Sequence, residues 1–271
     1  MTMIVDLHTH HDRCGHALGS IEQYIQSAIE KELAYIGISD HTPFFYADED
    51  QLHPHIAMPK SELEHYVTEV IALKNKYANQ INVLLGIESD FFEAHQKCYK
   101  DELSKYPFDY IIGSVHYVDD VNIFKKDLWY GYSPSEQIQL KERYYQLIQA
   151  SAKSGLFQIL GHIDAMKGYY PEFSTIQTPI VEKTLKVIAE QNVAIEVNTS
   201  GKTKDCGGWY PSIQLLEVAQ FYGVDISFGS DAHHPERVAD DYKEVQCILK
   251  QIGFKEMVFY VGKQRHAIML E

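Results

Sequence analysis

His8 and His10 stand two residues apart directly after the apolar run Ile4–Leu7. Residues i and i+2 of an extended segment point to one face, so both imidazoles can converge on one ion. Asp231 and His233 repeat that spacing after Val224–Phe228. Four more short apolar runs end the same way: Ala34–Ile38 leads into Asp40-His41, Val83–Ile87 into Glu88, Tyr110–Val115 into His116, and Phe157–Leu160 into His162. One strand-end histidine is usually a hydrogen-bonded structural residue, whereas six strand ends that all close in His, Asp or Glu describe a metal site. His16, in the turn after the first run, reaches back over the same mouth. The candidate ligands are therefore His8, His10, His16, His41, Glu88, His116, His162, Asp231 and His233. They exceed what one or two ions with an open coordination position require and suit three. Imidazole and carboxylate ligands fit zinc, iron or manganese. The four cysteines form no CxxC pair, which excludes a four-cysteine structural zinc site. Three divalent ions are expected, zinc foremost, with iron or manganese as alternatives. His11 and His234 adjoin ligands but alternate away from them, which suits a second layer or substrate contact. His53, His55, His65, His95 and His266 read as solvent or loop histidines, and Cys14 as a small, partly buried thiol.

The runs that carry these residues have strand length and β-branched composition, and Val193–Val197 makes a seventh. Between them, helical spacing covers Ser20–Lys31, Ser61–Tyr77, Ser133–Lys153, Thr178–Gln191, Ser212–Tyr222 and Pro235–Gln251. Strands alternating with helices imply parallel pairing through right-handed crossovers. Seven such units suit a closed or nearly closed (β/α) barrel, with the ligands at the C-terminal ends of its strands, where loops supply chemistry. The polar stretch Pro43–Pro59 reads as a loop over that mouth. No repeat, low-complexity tract or linker divides the sequence, so residues 1–271 are expected to form one α/β domain.

The formal charge of −14 opposes capture of a nucleic acid backbone, although three bound divalent ions would bring the sum to about −8. Widely spaced cysteines do not resemble a disulfide framework. No stretch approaches the ~20 apolar residues of a membrane span, and Asp6 stands where a signal peptide would need apolar residues. A cytoplasmic protein without membrane or nucleic-acid partners is the expectation.

The series His8-x-His10, His16, Ser39-Asp40-His41, Glu88, Gly113-Ser114-Val115-His116, Gly161-His162-Ile163-Asp164, Glu196-x-Asn198 and Ser230-Asp231-Ala232-His233 resembles the polymerase and histidinol phosphatase (PHP) superfamily, from residue 4 to about 240. Within it the chain is most similar to the monofunctional histidinol-phosphatases, through the stretches at 39–44, 113–118, 161–164 and 230–236. The resemblance implies a distorted seven-stranded (β/α) TIM-like barrel with up to three metal ions. It assigns His8, His10, Glu88 and Asp231 to one ion, with Glu88 bridging to a second held by His116 and His162. His16, His41 and His233 would hold the third. The implied reaction is hydrolysis of L-histidinol phosphate, a phosphoric monoester, in histidine biosynthesis.

For such a monoester, two ions can share a hydroxide that attacks phosphorus in line, while the charge of the ions offsets that of the phosphoryl oxygens. The departing alkoxide needs a proton, and Asp231 and Asp40 are the candidate donors. Arg13, Tyr117 and Lys167 follow the right strands to contact substrate, although an ion pair, a packed ring and a solvated charge are the respective ordinary readings. Phe44, Tyr46 and Asp48 are candidates for the imidazole and amine. The alternatives are phosphotyrosine, another small ester or a nucleic-acid 3′ end as substrate, or a metalloprotein that catalyses nothing. No basic stripe interleaves the 19 Tyr and 12 Phe, which argues against a nucleic-acid path.

Overall fold

Every apolar run read as a strand from the sequence is one in the computed structural model, which describes residues 3–119 and 121–270. In chain order the elements are β1 (Val5–Asp6), α1 (Ile21–Glu30), β2 (Tyr35–Ile38), α2 (Leu63–Lys76), β3 (Asn82–Leu85), β4 (Glu88–Asp90), α3 (Gln96–Leu103) and β5 (Ile112–Ser114). They continue with β6 (Tyr117–Val118), β7 (Val121–Asn122), α4 (Lys126–Trp129), α5 (Pro134–Lys153), β8 (Ile159–Leu160), α6 (Ile180–Gln191) and β9 (Ala194–Asn198). The last are α7 (Ile213–Tyr222), β10 (Ile226–Gly229), α8 (Tyr242–Ile252), β11 (Glu256–Val261) and β12 (Gln264–Met269). Local chemistry fixes several ends. Ser133 and Glu136 form a reciprocal capping box ahead of α5, with Pro134 at its first position. On α1, Ile21, Tyr24, Ile25 and Ala28 supply the buried i, i+3, i+4, i+7 stripe.

Two parallel sheets result, in the orders β1-β2-β3 and β10-β9-β8-β5-β4. The expected single closed ladder is not formed among the described residues. At one seam Gly86-Ile87 interrupts the third run, separating β3 from β4. At the other, β1 pairs for two residues before its chain turns toward the candidate ligands, leaving the Leu7 N–H bond to the Phe228 carbonyl of β10 (3.2 Å) and an isolated Thr9–Ala232 bridge beyond the end of β10.

Asp6 anchors this second seam. Its buried carboxylate accepts from the amides of His8 (3.2 Å), Ser230 (2.9 Å) and Ala239 (2.7 Å) and from the Ser230 hydroxyl (2.5 Å). Asp6→Ala leaves three buried donors and the partly buried Ala239 amide without an acceptor, and each buried orphan costs about 1–3 kcal/mol. A loss of about 3 kcal/mol or more is expected in urea denaturation, and an unchanged midpoint would contradict the anchoring role.

Four features differ from the sequence reading. The last long helix begins at Tyr242, because Pro235–Arg237 makes one 3-10 turn and Ala239 and Asp241 adopt left-handed φ of 58° each. The helix α3 and the hairpin β6–β7 were not anticipated. Nor was the C-terminal hairpin β11–β12, joined by Gly262-Lys263 at φ of 55° and 64°, the pattern of a two-residue type I′ turn. That hairpin packs Val258, Phe259, Tyr260 and Ile268 against Val5, Leu7, Leu84, Tyr110, Ile112, Ile159 and Ala194. Tyr110 crosses this layer to donate to the Leu7 carbonyl (2.5 Å), and Gly37 and Gly86 are required because a Cβ at either would collide with its ring or hydroxyl. Among the described residues no helix is long and apolar enough to cross a membrane, and the four cysteines are free.

Candidate metal centre

The ligand-bearing segments leave their strands in conformations that turn side chains toward one another. His162 and Asp231 have φ of 26° and 51°, a region that non-glycine residues enter at a cost usually repaid at functional sites. Glu88, which opens β4, lies among the resulting imidazoles. Its Oε2 is 2.8 Å from His41 Nδ1, 3.4 Å from His8 Nε2 and 3.6 Å from His10 Nε2. Its Oε1 is 3.0 Å from His162 Nε2 and 3.5 Å from His116 Nε2, and these two ring nitrogens approach each other to 3.2 Å. Asp231 Oδ1 lies 3.1 Å from His10 Nε2 and 3.8 Å from His8 Nε2. The His233 ring is 4.4 Å from His10 and 4.8 Å from His16, centre to centre, and His16 is 5.2 Å from His41. All nine candidate ligands are thus brought together. Their closest groupings are His8, His10 and Glu88; His10, His41 and His233; and His41, Glu88 and His116.

The chemistry of these atoms fits a cation. His8 Nε2, His10 Nε2 and Glu88 Oε2 are buried, face one another, and have no hydrogen-bond partner among the described residues. The opposite ring nitrogens are held by carboxylates. His8 Nδ1 is 2.6 Å from Glu196 Oε1, His10 Nδ1 is 3.2 Å from Asp40 Oδ1, and His116 Nδ1 is 2.9 Å from Asp90 Oδ1. A carboxylate behind an imidazole fixes its tautomer and raises its basicity toward a metal. Asp90 carried no sequence signal, because an acid two residues beyond a ligand on a strand resembles any loop carboxylate. Glu196 belongs to a recognised motif, but its partner His8 is 188 positions away.

Charge divides the cluster. Burial disfavours protonation of His10, yet Asp231 and Asp40 outweigh it and lift the imidazole to about 9. His116 also reaches about 9, as Asp90 and Glu88 overcome its burial. Burial and neighbouring imidazoles push His16 down to about 4 and His233 to about 3, leaving both neutral. Burial would raise Asp231, but His8 and His10 hold it well below the usual carboxylate range. At neutral pH the carboxylate-flanked imidazoles therefore carry protons that an entering cation must displace. Divalent-cation affinity is expected to rise with pH up to about 9 and then level off, with proton release measurable by calorimetry in two buffers of different ionisation enthalpy. Affinity independent of pH would contradict this.

Seven of the nine, all but the buried His8 and His10, line the floor of a cavity of about 660 Å³ that also meets Tyr117, Phe124, Tyr169, Ser200, Lys204 and Arg237. That size suits a small metabolite. Of the anticipated substrate contacts, Tyr117 lines it. Arg13 does not, because its guanidinium is taken by Glu62 (3.2 Å) and Glu69 (2.7 Å) of the neighbouring helical segment. Lys167 is buried and paired with Asp164 at 2.8 Å. Asp40 lies behind the imidazoles, bonded to His10, His11 (3.2 Å) and the His41 amide (2.8 Å), and those histidines outweigh its burial and keep it ionised. It orients ligands and is poorly placed to donate a proton. Asp231 reaches the cavity, where its Oδ2 accepts from the Ser200 hydroxyl (2.8 Å) and Asn198 Nδ2 (3.2 Å). His11 belongs to the second layer, stacked on Tyr66, whereas His55 and His234 line the cavity. Phe44 packs on His53 and Tyr46 stacks on His95, and neither they nor Asp48 line it.

A parallel α/β scaffold that delivers buried imidazoles and carboxylates to one cavity floor defines the class of metal-dependent hydrolases. Residues 6–200 match the model of the PHP domain, and the chain belongs to that family. It is 30% identical over 261 residues to a probable histidinol-phosphatase of Deinococcus radiodurans, covering 96% of this chain and 97% of that protein. It is 28% identical to the histidinol-phosphatase of Bacillus subtilis, covering 88% and 96% respectively. The crystal structure of histidinol phosphate phosphatase from Lactococcus lactis, complexed with zinc, L-histidinol and phosphate, shares the fold with a TM-score of 0.80 at 18% identity, over 97% of this chain and 98% of that one.

Proposed function

We propose that this chain is a metal-dependent phosphomonoesterase that hydrolyses L-histidinol phosphate to L-histidinol and phosphate. The observation that carries the metal-dependent part is the convergence of His8 Nε2, His10 Nε2 and Glu88 Oε2, buried and without hydrogen bonds among the described residues, at the cavity floor that Glu88 lines. The choice of ester is supported by relatives named histidinol-phosphatases that align over nearly the whole chain. On this reading the two sheets are arcs of one distorted seven-stranded barrel, favoured by the Thr9–Ala232 bridge at one seam and the continuity of β3 into β4 at the other. Residues 1–271 then form one domain whose C-terminal hairpin packs under the barrel.

Three ions account best for nine ligands: His8, His10, Glu88 and Asp231 for the first, Glu88, His116 and His162 for the second, and His16, His41 and His233 for the third. Zinc is the favoured metal, as in the Lactococcus complex. When bound, the ions supply Lewis acidity and an activated water. The chain's own residues orient and move protons. Glu196, Asp40 and Asp90 hold the ligating rings, and Tyr117 borders the substrate. Asp231, ionised at the start, takes the proton of the attacking water and delivers it to the departing alkoxide. Chelation tests the reading: phosphate release is lost and returns on adding zinc, while circular dichroism is unchanged. Unfolding on chelation would instead identify a structural cluster.

A further inference from the structure

Four arginines occur in the chain, and three are consumed by carboxylates away from the cavity. Arg13 bonds Glu62 and Glu69, Arg143 bonds Asp119 and Glu93, and Arg265 bonds Asp225 and Glu256. Arg237 differs on both counts. It lines the cavity with Asp231 and His233, and its guanidinium hydrogen-bonds one carboxylate, Asp240, through Nε at 2.9 Å, with Asp241 close enough to feel its charge. Among the described residues its two terminal amino groups have no acceptor. A guanidinium anchored at Nε and open at its fork is arranged to bind two oxygens of a tetrahedral anion side by side.

Its backbone is held as firmly as that task needs. The Lys31 ammonium donates to the carbonyls of Glu236 (2.5 Å) and Val238 (2.7 Å) on either side, Ser27 donates to the Pro235 carbonyl (2.6 Å), and Asp6 accepts from the Ala239 amide (2.7 Å). Asp6 is also the residue that fixes the turns carrying His8 and Asp231, through the amides of His8 and Ser230. One carboxylate thus sets the position of the arginine relative to the ligand cluster. Such preorganisation lowers the ordering cost of binding.

We propose that Arg237 is the residue that grips the phosphoryl group, holding the ester's phosphorus end against the ligand cluster. This rests on the phosphomonoesterase reading, but it is tested on phosphate itself, without turnover. The zinc-replete, full-length protein is titrated calorimetrically with inorganic phosphate and, separately, with L-histidinol. Arg237→Ala is expected to weaken phosphate binding by about 10- to 100-fold, the loss of a bidentate charge-assisted contact, and to change L-histidinol binding less than about 2-fold. Arg237→Lys keeps the charge but not the fork and falls between. Lys204, the other lysine or arginine on the cavity wall, lies over the Tyr169 ring at 5.7 Å and reports the general effect of removing a cation. Unchanged phosphate binding in Arg237→Ala, or equal weakening in Lys204→Ala, would overturn the assignment. Absence of turnover with L-histidinol phosphate, beside intact phosphate binding, would instead count against the substrate.

Discussion

Glu88→Gln is expected to lower kcat/KM for phosphate release by at least about 10³-fold, several kcal/mol of transition-state stabilisation, without unfolding the chain. Five imidazoles lie within 3.6 Å of this one carboxylate, so it is the side chain whose two oxygens are shared most widely. The amide is nearly isosteric but uncharged and a poor bridging ligand. Those imidazoles would then share a buried pocket with Asp231 as the remaining carboxylate on the cavity floor. Zinc content is expected to fall together with activity while circular dichroism still shows a folded chain, because Glu88 also holds its place through its backbone and the Ser114 hydroxyl (2.6 Å). Full zinc content with near-normal turnover in Glu88→Gln would remove it from the centre of the site.

The second large effect acts at a distance from the substrate. Glu196→Gln is expected to weaken zinc affinity or activity by about 10- to 100-fold, the usual consequence of disturbing the carboxylate behind a ligating imidazole. Glu196 Oε1 holds His8 Nδ1, and Oε2 accepts from the His162 amide (3.2 Å) and Asn198 Nδ2 (3.0 Å). It therefore orients ligands from two strands with one side chain. A positioning role is distinguished from a merely structural one by rescue: activity lost in Glu196→Gln returns at high zinc concentration, whereas a folding defect is not restored.

How much of this was legible in the sequence follows from which interactions are local. Eight of the nine candidate ligands are readable because each follows the end of a contiguous apolar run, so type and position are visible together; His16, in a turn, is the exception. Roles that depend on a distant partner are not readable. Arg13 follows the first strand as a substrate-binding arginine would, but Glu62 and Glu69, about fifty positions later, capture it. Lys167 and Asp164 are three residues apart, and their burial as a pair depends on packing that no spacing reveals. Arg237 lay inside a stretch that reads as helix, and only the left-handed turns at Ala239 and Asp241 separate it from α8 and leave it on the cavity wall. The C-terminal hairpin carries a local signal, the run Met257–Val261 before Gly262-Lys263, but it breaks the alternation of strand and helix that the rest of the chain follows.

The measurement that bears most directly on the central claim is kcat/KM for phosphate release by the zinc-replete protein. L-histidinol phosphate is compared with p-nitrophenyl phosphate, phosphotyrosine and a dinucleotide, with His8→Ala as the control. The account predicts a strong preference for L-histidinol phosphate that His8→Ala abolishes. Equal or faster release from another ester, or activity that survives His8→Ala, would contradict it.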